Sequence, residues 1–182
     1  MSGTRDDAWQ VPPTWVLLAA VTLIACAEVG GGAMAQFKLE IARWARNAML
    51  ARPAVHGLVG VRDVDEQIID QALTKVDGSL RLFHLHAEGM GTVIIVTTMV
   101  AWTLVAPGAL RGAIVGLMTV GGAVYPLGYL LWGGLIPFAG VEPGKRVAEW
   151  LVWIPFGGSA IVAAWLLVAA LTAHVVRSRR ES

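Results

Sequence analysis

A single cysteine, Cys26, rules out a disulfide framework within the chain. Charge is scarce too: Asp, Glu, Lys and Arg make up only 15% of the 182 residues and leave a formal net charge of +1. The Lys and Arg that do occur sit beside acids in connecting segments, so no basic face forms and no nucleic-acid partner is expected. There is no phosphate-binding glycine loop, because Gly30-Gly31-Gly32 lies inside an apolar run rather than at a strand-to-helix turn. Nucleophilic catalysis lacks its parts, since neither Ser159 nor Cys26 has a recognisable base nearby in sequence. A cleavable signal is not expected either: the first apolar run starts late, at Trp15, is too long for a signal core and has no Ala-x-Ala exit. No fixed-period repeat or low-complexity tract is visible.

What fills the chain is apolar surface, with 56% hydrophobic residues. Runs of about 20 apolar residues are the mark of membrane-spanning helices. Spans are expected at about residues 15–36, 82–106, 112–137 and 149–176. They are preceded by a polar tail (1–13) and followed by a basic tail (177–182). The eight tryptophans fit anchoring at the membrane interface. Between the first two spans lies the only long polar segment, residues 37–80. Lys38–Arg52 carries Ile41, Ala45, Ala48 and Met49 on one side, which reads as an amphipathic helix along the headgroups. Asp65–Val76 reads as a second short helix, broken by Asp77-Gly78-Ser79 with Ser79 as the next N-cap. Tyr125-Pro126 predicts a kink near residues 122–126, and the segment around Glu142, Pro143, Lys145 and Arg146 reads as a loop.

The expected fold is therefore an all-α, integral membrane four-helix bundle, with one or two short interfacial helices between the first and second spans. Its expected surroundings are the lipid bilayer of a bacterial inner (plasma) membrane, with other membrane subunits or a homo-oligomer as partners. The Lys and Arg of the 37–80 and 138–148 connections outnumber those of the termini and Arg111, which places both termini outside the cytoplasm. The Arg-rich C-terminal end argues the other way.

Chemistry is concentrated in Leu82–Gly91, which holds His84, His86 and Glu88 at the mouth of a span. Ionisable groups there are costly and usually serve a purpose. At about 100° per residue, His84 and Glu88 share one helix face while His86 points roughly 160° away. Glu28 enters from the first span, roughly 12 Å before its exit, and Glu88 lies roughly 9 Å after the second span begins, so both belong to one leaflet. Tyr125, Tyr129, Trp150 and Trp153 approach the same side. Imidazole and carboxylate one turn apart can ligate Fe, Zn or Cu, so His84, Glu88 and Glu28 are candidate metal ligands. His86 with Met90 is a candidate haem site, and Cys26, Tyr125 and Tyr129 are candidate supporting residues around these sites. The alternatives stay open. The histidines could meet only water or headgroups while Glu88 pairs with Arg81, and the glycines could serve helix packing alone. His56 and His174 read as solvated surface residues.

His84-Leu85-x-x-Glu88-Gly89 resembles the His-Leu-x-x-Glu-Gly stretch of nitric-oxide-reductase catalytic subunits, where the His and Glu bind the non-haem iron. His86-Ala87-x-x-Met90 is similar to the sequence around a haem-ligating histidine in haem-copper oxidases. The resemblance implies iron or copper on His84 and Glu88, or haem on His86, the two alignments competing for one helix. It covers about ten of the 182 residues, and the family's many further spans and its later His-His pair have no counterpart here. The expected function is a small membrane protein that binds haem or an Fe/Cu ion for electron transfer, sensing or metal handling. The alternatives are a proton- or ion-coupled transporter or channel subunit using Glu28 and Glu88, or a structural subunit of a larger membrane complex, either of them free of any cofactor.

Overall fold

The computed structural model describes residues 9–181, with side chains through 179. Most of the polar N-terminal tail thus lies outside the described residues. Its last part is tethered, because the Gln10 N–H donates to Thr103 Oγ1 at 3.0 Å. All regular structure among the described residues is helical: α1 (Thr14–Leu50), α2 (Pro53–His56), α3 (Arg62–Leu104), α4 (Ala109–Val124), α5 (Leu127–Ala139), α6 (Val141–Ala148), a π-helical segment (Glu149–Gly157) and α7 (Gly158–Glu181). These make four continuous rods long and apolar enough to cross a membrane: α1, α3, α4 with α5, and α6 through α7.

The largest departure from expectation is the 37–80 segment. It holds no helix lying apart along a surface. α1 runs on through it with one bend at Phe37 (φ −111°, ψ 19°), and α3 starts at Arg62 and never breaks at Asp77-Gly78-Ser79. The reason is burial. Ala45 and Met49 of α1 meet Ile69, Ala72 and Val76 of α3 and Ile136 of α5 in a second apolar core. Each fully buried Met or Ile contributes about 1.5–3 kcal/mol, which outweighs a glycine's helix cost of about 1 kcal/mol. Ser79 is fully buried and is no N-cap; its hydroxyl donates back to the Val76 carbonyl at 2.7 Å. The α5 backbone closes over it at Gly133, where any Cβ would overlap the Ser79 hydroxyl.

The connection from α1 to α3 is short and tied down. Pro53 starts α2, where its missing N–H costs nothing, and Gly57 ends it at φ 67°. The Asp65 carboxylate then accepts from the Val59 and Gly60 N–H groups at 2.8 and 3.0 Å. The third rod bends where expected, with Tyr125 and Pro126 between α4 and α5. Residues 141–148, read as a loop, are helix α6. Pro143 falls in its first turn, where no intrahelical bond is lost. The basic C-terminal tail continues α7 as helix through Glu181. The main core lies between α1, α3, α4 and α7 and includes Ala20, Leu23, Ala27, Ala87, Ile94 and Met118.

Candidate functional site

α3 presents its two histidines to opposite neighbours, as the helical angle requires. His84 faces α1. Its Nδ1 lies 2.8 Å from the Ala27 carbonyl oxygen. A carbonyl only accepts, so Nδ1 carries the proton and Nε2 of the neutral ring is left with a lone pair. Gly31 makes room for the ring, since a Cβ there would stand 3.0 Å from His84 Cε1 and Nδ1. Two helix turns beyond His84, Gly91 lets α3 approach α1 closely, and a Cβ there would come 2.9 Å from the Ala20 carbonyl.

Beside His84 an open groove of about 400 Å³ is lined by Glu28, Gly32, Lys38, Asp77, Arg81 and His84. It lies where the apolar stretches of α1 and α3 give way to their charged ends. Asp77 receives the Arg81 Nε–H at 2.8 Å and stands 3.9 Å from Lys38 Nζ. Arg81 therefore pairs one turn back, with Asp77, and not with Glu88. These side chains are 39–63% exposed, so the pairs add little stability and remain free to exchange partners.

His86 faces α5. Its Nδ1 meets the Leu82 carbonyl at 2.8 Å, and its Nε2 lies 3.4 Å from the Tyr129 hydroxyl. Tyr129 in turn shares a 3.0 Å hydrogen bond with Tyr125. The rings of His86 and Tyr129 stack at 4.6 Å, and Trp153 closes the cluster 4.9 Å from Tyr129. The π-helical segment shapes this wall around Pro155 and Trp153. Trp153 lies so close over Gly128 that any Cβ there would overlap the indole, whose buried N–H has no partner among the described residues.

The expected ligand sets are not assembled. No three His, Cys, Asp or Glu side chains among the described residues come together to hold a metal. Of the trio His84, Glu88 and Glu28, only His84 and Glu28 share the groove, while Glu88 is exposed outside it. A haem on His86 does not fit this arrangement, because both ring nitrogens have partners and a tyrosine ring occupies its face. Met90 is spent on packing, its methyl group lying over Gly122 of α4. Cys26 is exposed on α1 and lines neither site. Tyr125 and Tyr129 do gather on a histidine, together with Trp153, while Trp150 is 72% exposed and stands apart. His56, read as a solvated loop residue, is half-buried with Nε2 3.2 Å from the Pro137 carbonyl, whereas His174 is exposed.

Lys38 and Asp77 escaped the sequence reading as site residues because Lys38 fell in a segment taken as a separate surface helix and Asp77 in a break between helices. No protein-family model matches the chain, and no curated protein or solved structure matches it significantly.

Proposed function

We propose that this chain is a multi-pass membrane protein that handles a small cation at the groove between α1 and α3, as a proton- or ion-coupled transporter or channel subunit. One observation carries the reading: Glu28 and an imidazole held by Ala27 line the same groove at the end of the apolar stretch. An acid near a bilayer needs a cation or a proton, and Glu28 makes no ion pair among the described side chains. His84 Nε2 and the Glu28 carboxylate are the two groups that would take up and release the ion. Four apolar rods would cross the expected bilayer, and the excess of Lys and Arg near the α1–α3 hairpin supports a cytoplasmic position for that end.

A second reading, transition-metal handling, is favoured by the Ala27 carbonyl itself. A histidine that donates Nδ1–H to a backbone carbonyl is oriented to ligate through Nε2. Glu28 would supply an oxygen ligand. The test is flux into proteoliposomes under an imposed pH gradient, alongside metal content of the purified protein. Pump-like or channel-like proton flux lost in Glu28→Gln supports the first reading. Stoichiometric metal lost in His84→Ala supports the second. Wild-type protein with neither flux nor metal sinks both.

A further inference from the structure

The direction of each hydrogen bond in the His86 cluster follows from one backbone carbonyl. The Leu82 oxygen, 2.8 Å from His86 Nδ1, can only accept, so Nδ1 carries the proton of the neutral ring. Nε2 is then a lone pair, and the Tyr129 hydroxyl 3.4 Å away donates to it. Tyr129 has no second proton, so in its 3.0 Å bond with Tyr125 it is Tyr125 that donates. The chain therefore runs one way, from Tyr125 through Tyr129 to His86, with both O–H groups satisfied. Few charges surround it. α4 and α5 carry only Arg111, which is tied to Trp102 at the opposite end of α4. On the fourth rod Glu149 pairs with Lys145, and Glu142 and Arg146 lie earlier in α6. On α3, Arg81 is held by Asp77, while the exposed Glu88 points roughly 160° away from His86. Among the described residues the partners of His86 are thus a backbone carbonyl and two phenols, with no carboxylate.

We propose that His86 is a proton-binding site whose occupation reverses this chain and is felt at the bend between α4 and α5. The inference does not rest on cation handling at the α1–α3 groove. A proton taken from water onto Nε2 makes both ring nitrogens donors. Nε2–H then donates to the Tyr129 oxygen, and the Tyr129 O–H turns to the Tyr125 oxygen. The Tyr125 O–H loses its acceptor and has no second partner among the described residues. Tyr125 closes α4 directly before Pro126, which lacks the N–H that would continue the helical ladder. Its ring also packs on Gly157 of the π-helical segment, where a Cβ would stand 3.0 Å from Cδ2. A hydroxyl that has to turn at this place acts where the third rod already has one ladder bond fewer.

The chain has only two tyrosines and four histidines, so magnetic resonance of the full protein in nanodiscs can follow each ring. Tyrosine isotope-labelled at Cζ and histidine labelled at both ring nitrogens are titrated from about pH 8 to about pH 5, the range in which imidazoles charge. At the upper end His86 should show a protonated Nδ1 and a bare Nε2. On acidification Nε2 should gain a proton, and both tyrosine signals should shift with the same midpoint. His86→Gln should abolish both tyrosine shifts. In Tyr129→Phe the imidazole should still titrate while the Tyr125 signal stays in place, a separation that loss of packing alone would not produce. A His86 ring that stays neutral throughout, or a neutral ring protonated on Nε2, overturns the proposal. So does titration of His86 with unmoved tyrosines, or tyrosine shifts that persist in His86→Gln. Should a variant fail to fold, wild type alone decides, because its two tyrosine signals either share a midpoint with an imidazole or do not.

Discussion

The Nδ1 of His84 and the carbonyl oxygen of Ala27 stand 2.8 Å apart, joining α3 to α1 across 57 residues of sequence. This bond sets the tautomer of the imidazole and the direction of its second nitrogen. It makes the α1–α3 contact a chemical feature as well as a packed one.

The proposed role of the pair gives the first prediction. Glu28→Gln removes a charged acceptor worth about 1.5–3 kcal/mol, so cation flux or binding should fall about 10–100-fold. His84→Gln should fall similarly, while Glu88→Gln, outside the groove, should stay near wild type. The readout is ion flux in proteoliposomes, and a Glu88→Gln loss as large as that of Glu28→Gln would count against the groove.

The glycines divide into two kinds, which thermal unfolding can separate. Gly91→Val forces a side chain into Ile24 and the Ala20 carbonyl and should cost about 1–3 kcal/mol. At Gly32 an added Cβ meets nothing within 4 Å. Gly32→Ala should leave stability unchanged or raise it by about 0.5–1 kcal/mol, since alanine is the better helix former.

Acid should loosen the outer end of the α1–α3 hairpin. The Arg46 guanidinium donates to the Glu66 carboxylate and holds its pKa below the ordinary 4.5, offset in part by desolvation. A depressed carboxylate binds fewer protons folded than unfolded, so its contribution is present above that ordinary value. It is lost as pH falls through the depressed one. Protection factors at the hairpin, corrected for the pH dependence of intrinsic exchange, should fall over that range in wild type, and Glu66→Gln should remove the part of that fall due to this pair.

Tyr129→Phe should keep the fold while removing the only hydroxyl that reaches His86 Nε2 among the described residues. A cost of about 0.5–1.5 kcal/mol is expected, with a shift in tryptophan emission because Trp153 packs on the altered ring. Gly128→Ala should shift that emission further, since the indole has to leave its place.

Helical angle alone separated His84 from His86, and α1 and α5 do receive them on opposite faces. The four apolar rods and the bend at Tyr125-Pro126 were equally legible, because length and proline are local signals. The continuity of α3 through Asp77-Gly78-Ser79 was not. It depends on Gly133 of α5, more than fifty residues away, closing over Ser79. The same non-local cause hid the groove: Lys38 and Asp77 meet because both rods continue as helix past the apolar stretch, α1 through its bend at Phe37. The widened turn at Trp153 has no sequence mark beyond Pro155, which α-helices also accommodate as a simple kink.

The 43 residues of α3 make a rod of about 65 Å, roughly twice a bilayer's apolar thickness of about 30 Å. With α1 strapped alongside it and Ile136 of α5 packed on both, the outer part of that rod is a stiff extension of the bundle past the charged junction. About 25 Å of it projects there. Val59 and Val61 at its tip are exposed and stand well clear of the expected apolar layer.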